Sequence, residues 1–280
     1  MNTLSLRSAS ARHIVAGAAL WLLSPVSAAT PEVPLQYRPE IERAEALGTS
    51  IYVHDSAASR ATDELIRRGF VDTDKRIRGW ITAMNGSADA VIVTFVGDVD
   101  GTPHALYRVS VPPADAEPGF EVLKPAQSLT HVERALYAAR TLAIADLKKQ
   151  KDLCAETYNT VVLPLQRQGD PVILVYALAA TDKPGVVVAG GHIRYSISAD
   201  GARIEGQRTF TKSCMVMSPD DAADPKNVEA MVLTHLLDPV PTEIHVFLSR
   251  LHKRPFYIGT SMNQLVWKVD GSVIQLMDTK

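Results

Sequence analysis

Apolar residues recur at helical spacing from Ile41 through Ala44, Leu47, Ile51, Ala58 and Ala61 to Leu65, a stripe along one face of an amphipathic helix. Pro39 suits the first helical position, Glu40 suits the positive end of the dipole, and Gly69 is a natural stop. Gly48, Ile51 and Val53 allow a break near residue 49, so the stretch reads as one or two helices. The period then shortens. Ile77–Ala83, Ala90–Val96 and Ala105–Val111 read as three strands joined through Asn85-Gly86 and Asp100-Gly101, dipeptides that accept tight-turn geometry. Asn85-Gly86-Ser87 is also a glycosylation sequon, with the turn as the favoured reading.

The stretch Pro112–Pro125 reads as a connector. Thr130 and Glu133 then form a capping-box pattern ahead of the clearest helix, whose apolar stripe is Val132, Leu136, Ala139, Leu142 or Ala143, and Leu147. Strand chemistry returns in Thr157–Leu165, Val172–Ala179, Val186–Ser198 and Arg203–Lys212, with Asp200-Gly201 as a hairpin turn. Asp224 and Pro225 suit the start of a short helix reaching about Val232, although Met231–Leu237 reads equally as a strand. Glu243–Leu251, Phe256–Thr260, Leu265–Val269 and Ser272–Met277 complete an expected antiparallel meander.

This order of elements predicts an α+β fold of predominantly antiparallel sheets covered on one side by helices, with two helix-plus-meander lobes as a possible division. The expected segments are a signal peptide at 1–28, an extended leader at 29–38, a helix plus three strands at 39–125, and a helix plus antiparallel sheet at 126–280. A single domain built from the last two is the alternative.

The signal peptide follows from charge and hydropathy. Arg7 and Arg12 form a positive start, Ile14–Leu23 an apolar run of about ten residues, and Val26-Ser27-Ala28-Ala29 a small-residue cleavage region. A membrane anchor needs roughly twenty apolar residues. The expected product is therefore periplasmic or secreted, cut near Ala28/Ala29. No cysteine for lipidation lies there, and no Arg-Arg pair precedes the apolar run. The longest later apolar stretch, near Val172–Ala180, is strand-sized, so no transmembrane segment is expected in the mature chain. Losing Arg7 and Arg12 takes the formal charge of the 280-residue chain from −2 to −4, which makes nucleic acid a poor partner. Cys154 and Cys214 are the two cysteines, and an oxidising compartment favours their pairing over two free thiols.

The strongest candidate chemistry is His192, His235 and His245 as zinc ligands, with Glu243 as ligand or base of a hydrolase. On a predicted strand Glu243 and His245 share a face opposite Ile244, Val246 and Leu248, and His192 alternates likewise with Ile193. Such polar positions also fit the solvated side of an antiparallel sheet, and no spacing matches HExxH. Gly190-Gly191 precedes a strand, where a bulge or close backbone approach explains it better than a phosphate loop. Ser261 lacks the nucleophile-elbow pattern, and a Cys214–His192 dyad conflicts with the expected disulfide. Asp55 and Asp63, eight residues apart on nearly one helix face, could act as acid and base, although helix solvation or capping is much the commoner role of such carboxylates.

The segments Ser50–Leu65 (SIYVHDSAASRATDEL), Cys154–Pro164 (CAETYNTVVLP) and Gly190–Gly201 (GGHIRYSISADG) resemble those of exported bacterial proteins of unassigned function. The resemblance implies an envelope or secreted setting and carries over no activity. The favoured expectation is a soluble, non-catalytic envelope accessory, inhibitor or binding module with a protein or envelope partner and no cofactor. The alternative is a periplasmic hydrolase, and zinc belongs to that alternative alone.

Overall fold

The computed structural model describes residues 31–113, 116–166, 171–218 and 228–278. The expected signal peptide with its cleavage region, and the helix start at Asp224-Pro225, lie outside these residues.

The first amphipathic stripe forms one continuous helix, α1 (Arg38–Arg67), preceded by a short 3-10 turn (Leu35–Tyr37) and followed by a single turn, α2 (Phe70–Thr73). Gly48 does not break α1, because its missing side chain admits a neighbouring helix. Strands β1 (Ile77–Met84), β2 (Val91–Val99), β3 (Thr102–Val111) and β4 (Gly119–Ser128) follow as an antiparallel meander. The fourth strand corrects the connector expected at Pro112–Pro125, and the expected segment boundary at 125/126 falls inside it. Pro125 and the alternation of Phe120, Val122 and Leu123 with charged residues hide its strand character, as befits an edge position.

Helix α3 (His131–Leu147) begins with the capping box that its sequence promises. The Glu133 amide donates to Thr130 Oγ1 at 3.2 Å, and the Thr130 amide donates to Glu133 Oε2 at 2.9 Å. Its buried stripe is Ala135, Leu136, Ala139, Arg140, Ala143 and Leu147, whereas Val132 is exposed. The second sheet has the order β5 (Thr157–Leu165), β6 (Val172–Ala180), β8 (Ile193–Ser198), β9 (Ile204–Thr209), all antiparallel. Two short strands, β7 (Val187–Val188) and β10 (Val216–Met217), pair beside it. The stretch Val186–Ser198 is therefore two strands, separated at Gly190-Gly191.

The C-terminal part departs most from expectation. Strand β11 (Met231–His235) runs parallel to β12 (Phe256–Thr260), and α4 (Glu243–His252) connects them. Strands β13 (Leu265–Asp270) and β14 (Val273–Leu276) extend this third sheet antiparallel. Glu243–Leu251 is thus a crossover helix and not a strand. Glu243 and His245 alternate with Ile244, Val246 and Leu248 as in a strand, but all of residues 243–249 are buried, so that alternation does not mark a wet and a dry face. The cap is equally disguised: the Thr242 amide donates to His245 Nδ1 at 2.9 Å, a histidine standing where a capping box ordinarily has Glu or Gln.

The α+β class with mainly antiparallel sheets is the observed one, and the second sheet is covered on both faces. Val162, Ile173, Val175, Tyr195 and Ile197 pack with α3, while Val161, Leu174, Tyr176 and Leu178 face α1, α4 and the third sheet. This two-sided burial explains the uninterrupted apolar run of β6. Helix α1 gives Ile41, Ala44, Leu47 and Ile51 to that core, and Ala57, Ala61 and Leu65 to a separate core with the first sheet. At the α1–α4 crossing, a Cβ on Gly48 would lie 2.5 Å from Val246 Cβ and 2.6 Å from the Glu243 carbonyl oxygen.

Cys154 and Cys214 form a disulfide. It closes over Gly191, whose φ of +82° and approach to Cys154 leave no room for a side chain. This is the close backbone approach that the Gly-Gly pair suggests. No helix among the described residues is long and apolar enough to cross a membrane.

Candidate functional site

The four residues singled out as possible zinc ligands all lie on the covered face of the second sheet or against it. His192 is buried, not solvated. The Ala179 amide donates to its Nδ1 at 3.2 Å, and its Nε2 donates to the Val188 carbonyl at 2.9 Å. An amide can only donate, so Nδ1 is the bare nitrogen and the ring is neutral, with no lone pair left for a metal. Burial lowers its pKa to about 4.

His235 and His245 do come together, their rings edge-to-face with centroids 4.9 Å apart. His235 Nε2 lies 2.8 Å from Asp238 Oδ2, and Arg208 holds both carboxylate oxygens of Asp238 at 2.8 and 2.7 Å. Burial, aided by the charge of His235, holds the His245 pKa well below its ordinary value. Burial alone would raise the Asp238 pKa, but the His235 hydrogen bond and the Arg208 charge carry it below normal.

Glu243, in the first turn of α4, accepts from Arg194 Nη1 at 2.6 Å and from the Tyr176 hydroxyl at 3.2 Å. Tyr176, Arg194 and Arg208 are directly opposite one another on β6, β8 and β9. One row across the second sheet thus receives Glu243 and Asp238 from the segment entering α4, with Phe210 under both guanidiniums. Among the described residues no three His, Cys, Asp or Glu side chains converge as a metal site. The arrangement joins the second sheet to the C-terminal βαβ unit through two ion pairs, Arg194–Glu243 buried and Arg208–Asp238 partly exposed, with Arg194 Nε left without a hydrogen-bond partner among the described residues.

The remaining sequence candidates are dispersed. Ser261 is exposed, Cys214 is in the disulfide, and Asp63 is on the open side of α1. Asp55 differs. It stands on the floor side of a crevice of about 350 Å³ between α1, the β5–β6 edge and α4. Leu178, Val188, Phe247 and Leu248 supply the apolar wall, and Asn159 and His252 the polar one. Burial raises the Asp55 pKa to about 6, only partly offset by the Asn159 side chain. Among the described residues Asp55 forms no ion pair, although Arg60 lines the same crevice.

A partly enclosed apolar crevice with few convergent polar groups, one of them a perturbed acid, has the character of a binding site. Asp55, Asn159 and His252 are far apart in the chain, so only the fold brings them together. Asp55 was visible in the sequence as an unassigned helix carboxylate; its two companions carried no signal. Compared with known proteins, the chain matches no family model, no curated protein and no solved structure.

Proposed function

We propose that this chain is a non-catalytic binding module that works outside the cytoplasm and holds a small ligand in the crevice beside α1. The observation that carries this reading is Asp55, a carboxyl that lines a crevice with an apolar wall, forms no ion pair among the described residues and has its pKa raised by burial. Leaving an acid in such a place costs stability, and a ligand that pairs with it recovers that cost on binding. The histidines and carboxylates that would serve a hydrolase are engaged in the fold itself, which favours binding over turnover. The disulfide, the signal-like N-terminus and the resemblance to exported bacterial proteins support the address.

The test is a fragment screen by amide chemical-shift perturbation on the wild type and on Ser59→Trp, which fills the crevice from its exposed rim. Hits that move Asp55, Asn159 and His252 in the wild type, vanish in the variant and are recovered chemically unchanged are the expected result. Hits scattered over the surface, or indifferent to the tryptophan, would overturn the reading.

A further inference from the structure

Three crevices meet at Tyr52. The first contains Asp55. The second, about 750 Å³, opens between α1 and the tips of the first sheet and shares Tyr52, Ser56 and Arg60 with the first. The third, about 310 Å³, lies between Tyr52 and the C-terminal end of α4, with Arg250, Lys253 and Arg254 on its wall. Asp55 and Arg60 line the first, Arg60 and Arg250 the second, and Arg250, Lys253 and Arg254 the third, where Asp270 also stands, paired with Lys268.

Two of these cations, Arg250 and Arg60, have no carboxylate partner among the described residues. The Arg250 guanidinium lies 4.5 Å over the Tyr52 ring and donates through Nη1 to the Ser272 hydroxyl. Its Nε is buried with no hydrogen-bond partner. Arg60 donates to two backbone carbonyls, Pro112 at 2.7 Å and Ala116 at 2.6 Å. Among the described residues neither guanidinium forms an ion pair with a carboxylate. Of the acids on the second crevice's rim, Asp89 is held by Asn85 and Ser87, and Glu117 is exposed. Arg250 as a whole is only half-buried and pairs with no carboxylate among the described residues, so an anionic group of a ligand would complete its partners.

We propose that the ligand is a short peptide with free termini, its α-amine seated on Asp55 and its α-carboxylate on Arg250 and Arg60. This rests on the reading of the crevice as the binding site and specifies its ligand class. Asp55 lines the first crevice and Arg250 the second and third, so the two anchors stand in neighbouring crevices and a chain of more than one residue is needed to join them. The wall between them, with Val53, Ala57 and Leu178, is apolar and fits small aliphatic side chains. A planar guanidinium fork is also well matched to a carboxylate.

Calorimetric titration of the purified full chain with Ala-Ala-Ala, its N-acetyl form, its C-terminal amide, free alanine and inorganic phosphate tests the assignment. The unblocked tripeptide should bind tightest, and blocking either terminus should weaken it about tenfold or more, the usual worth of a charge-assisted hydrogen bond. Asp55→Asn should erase the preference for a free amine, and Arg250→Gln the preference for a free carboxylate. The blocked peptides on the wild-type chain give the answer alone if a variant fails to fold. Equal binding of blocked and free peptides, or phosphate binding as tightly as the tripeptide, would overturn the proposal. If no peptide binds while screening hits still perturb the crevice, the ligand class falls and the binding-site reading stands. If nothing perturbs it, both fall.

Discussion

Arg194 Nη1 lies 2.6 Å from Glu243 Oε1, with both side chains largely shielded from water, so a strand of the second sheet and the first turn of α4 are joined by a buried ion pair. Removing one partner leaves the other charged and unsatisfied, which typically costs about 3–5 kcal/mol. Glu243→Ala should therefore lower the urea midpoint sharply. Replacing Arg194 and Glu243 together by Met and Leu should recover most of the loss, since a buried pair and a packed apolar pair are often nearly equivalent. Equilibrium unfolding of the two single variants and the double variant checks this.

Gly48→Ala tests the helix crossing. Alanine in mid-helix ordinarily gains about 0.5–1 kcal/mol over glycine. Here the new methyl would meet Val246 and the backbone oxygen of Glu243 at 2.5 and 2.6 Å. Overpacking of this kind costs about 1–3 kcal/mol, so the net effect should be destabilising. A rise in melting temperature would show that α1 and α4 separate without penalty.

Stability should fall on acidification between pH 6.5 and about 4. His192 and His54 are held neutral by burial, each with its pKa lowered to about 4. His54 Nδ1 is paired with the Thr82 hydroxyl at 2.8 Å. The unfolded chain takes up these protons near pH 6.5, the folded one only near 4, so the unfolded state gains as pH drops through that window. Each group is worth on the order of 3 kcal/mol by the usual conversion of 1.36 kcal/mol per pKa unit. Thermal melts of the wild type and His54→Gln from pH 7.5 to 4 should show a shallower slope in the variant.

Asp55 works in the opposite direction. Its raised pKa means that the folded state binds its proton first, so this group favours folding as pH falls from about 6 towards 4 and opposes it at pH 7. Asp55→Asn should accordingly raise stability at pH 7.5, by about 1–3 kcal/mol, and lose that advantage below pH 4. Gain of stability on removing a polar group is the usual mark of a residue kept for function. A destabilised variant at pH 7.5 would instead assign Asp55 a structural role.

Replacing both Cys154 and Cys214 by serine should cost about 4 kcal/mol, the loop-closure entropy for a sequence separation of 60. Reductant should reproduce the effect in the wild type and leave the serine variant unchanged, as read from melting temperature.

The parts of the fold legible in sequence are those where one face is wet. The α3 stripe and its Thr130–Glu133 cap could be read directly, as could the first three strands of the meander. Where buried polar residues fall between apolar ones, alternation misleads: Glu243 and His245 among Ile244, Val246 and Leu248 give α4, with its histidine cap, the pattern of a strand. The parallel pairing of β11 with β12 was lost with it, because that pairing requires a helical crossover. Alternation also separates His192 from Ile193 onto opposite faces, but it does not say what covers the face of His192. Water was the default there, and α4 is the fact. The crevice was the least legible feature, since its depth comes from Leu178, Phe247 and Leu248 packing around a residue on α1.

The thirty residues of α1 begin in one hydrophobic core and end in another, with the hand-over between Ile51 and Ala57. The proposed ligand groove lies along that same span, from Tyr52 to Arg60. Unwinding that spreads from one core to the other therefore has to pass through the segment the ligand would clasp. Occupancy should slow hydrogen exchange in both halves of the molecule together, making the groove a rivet as well as a receptor.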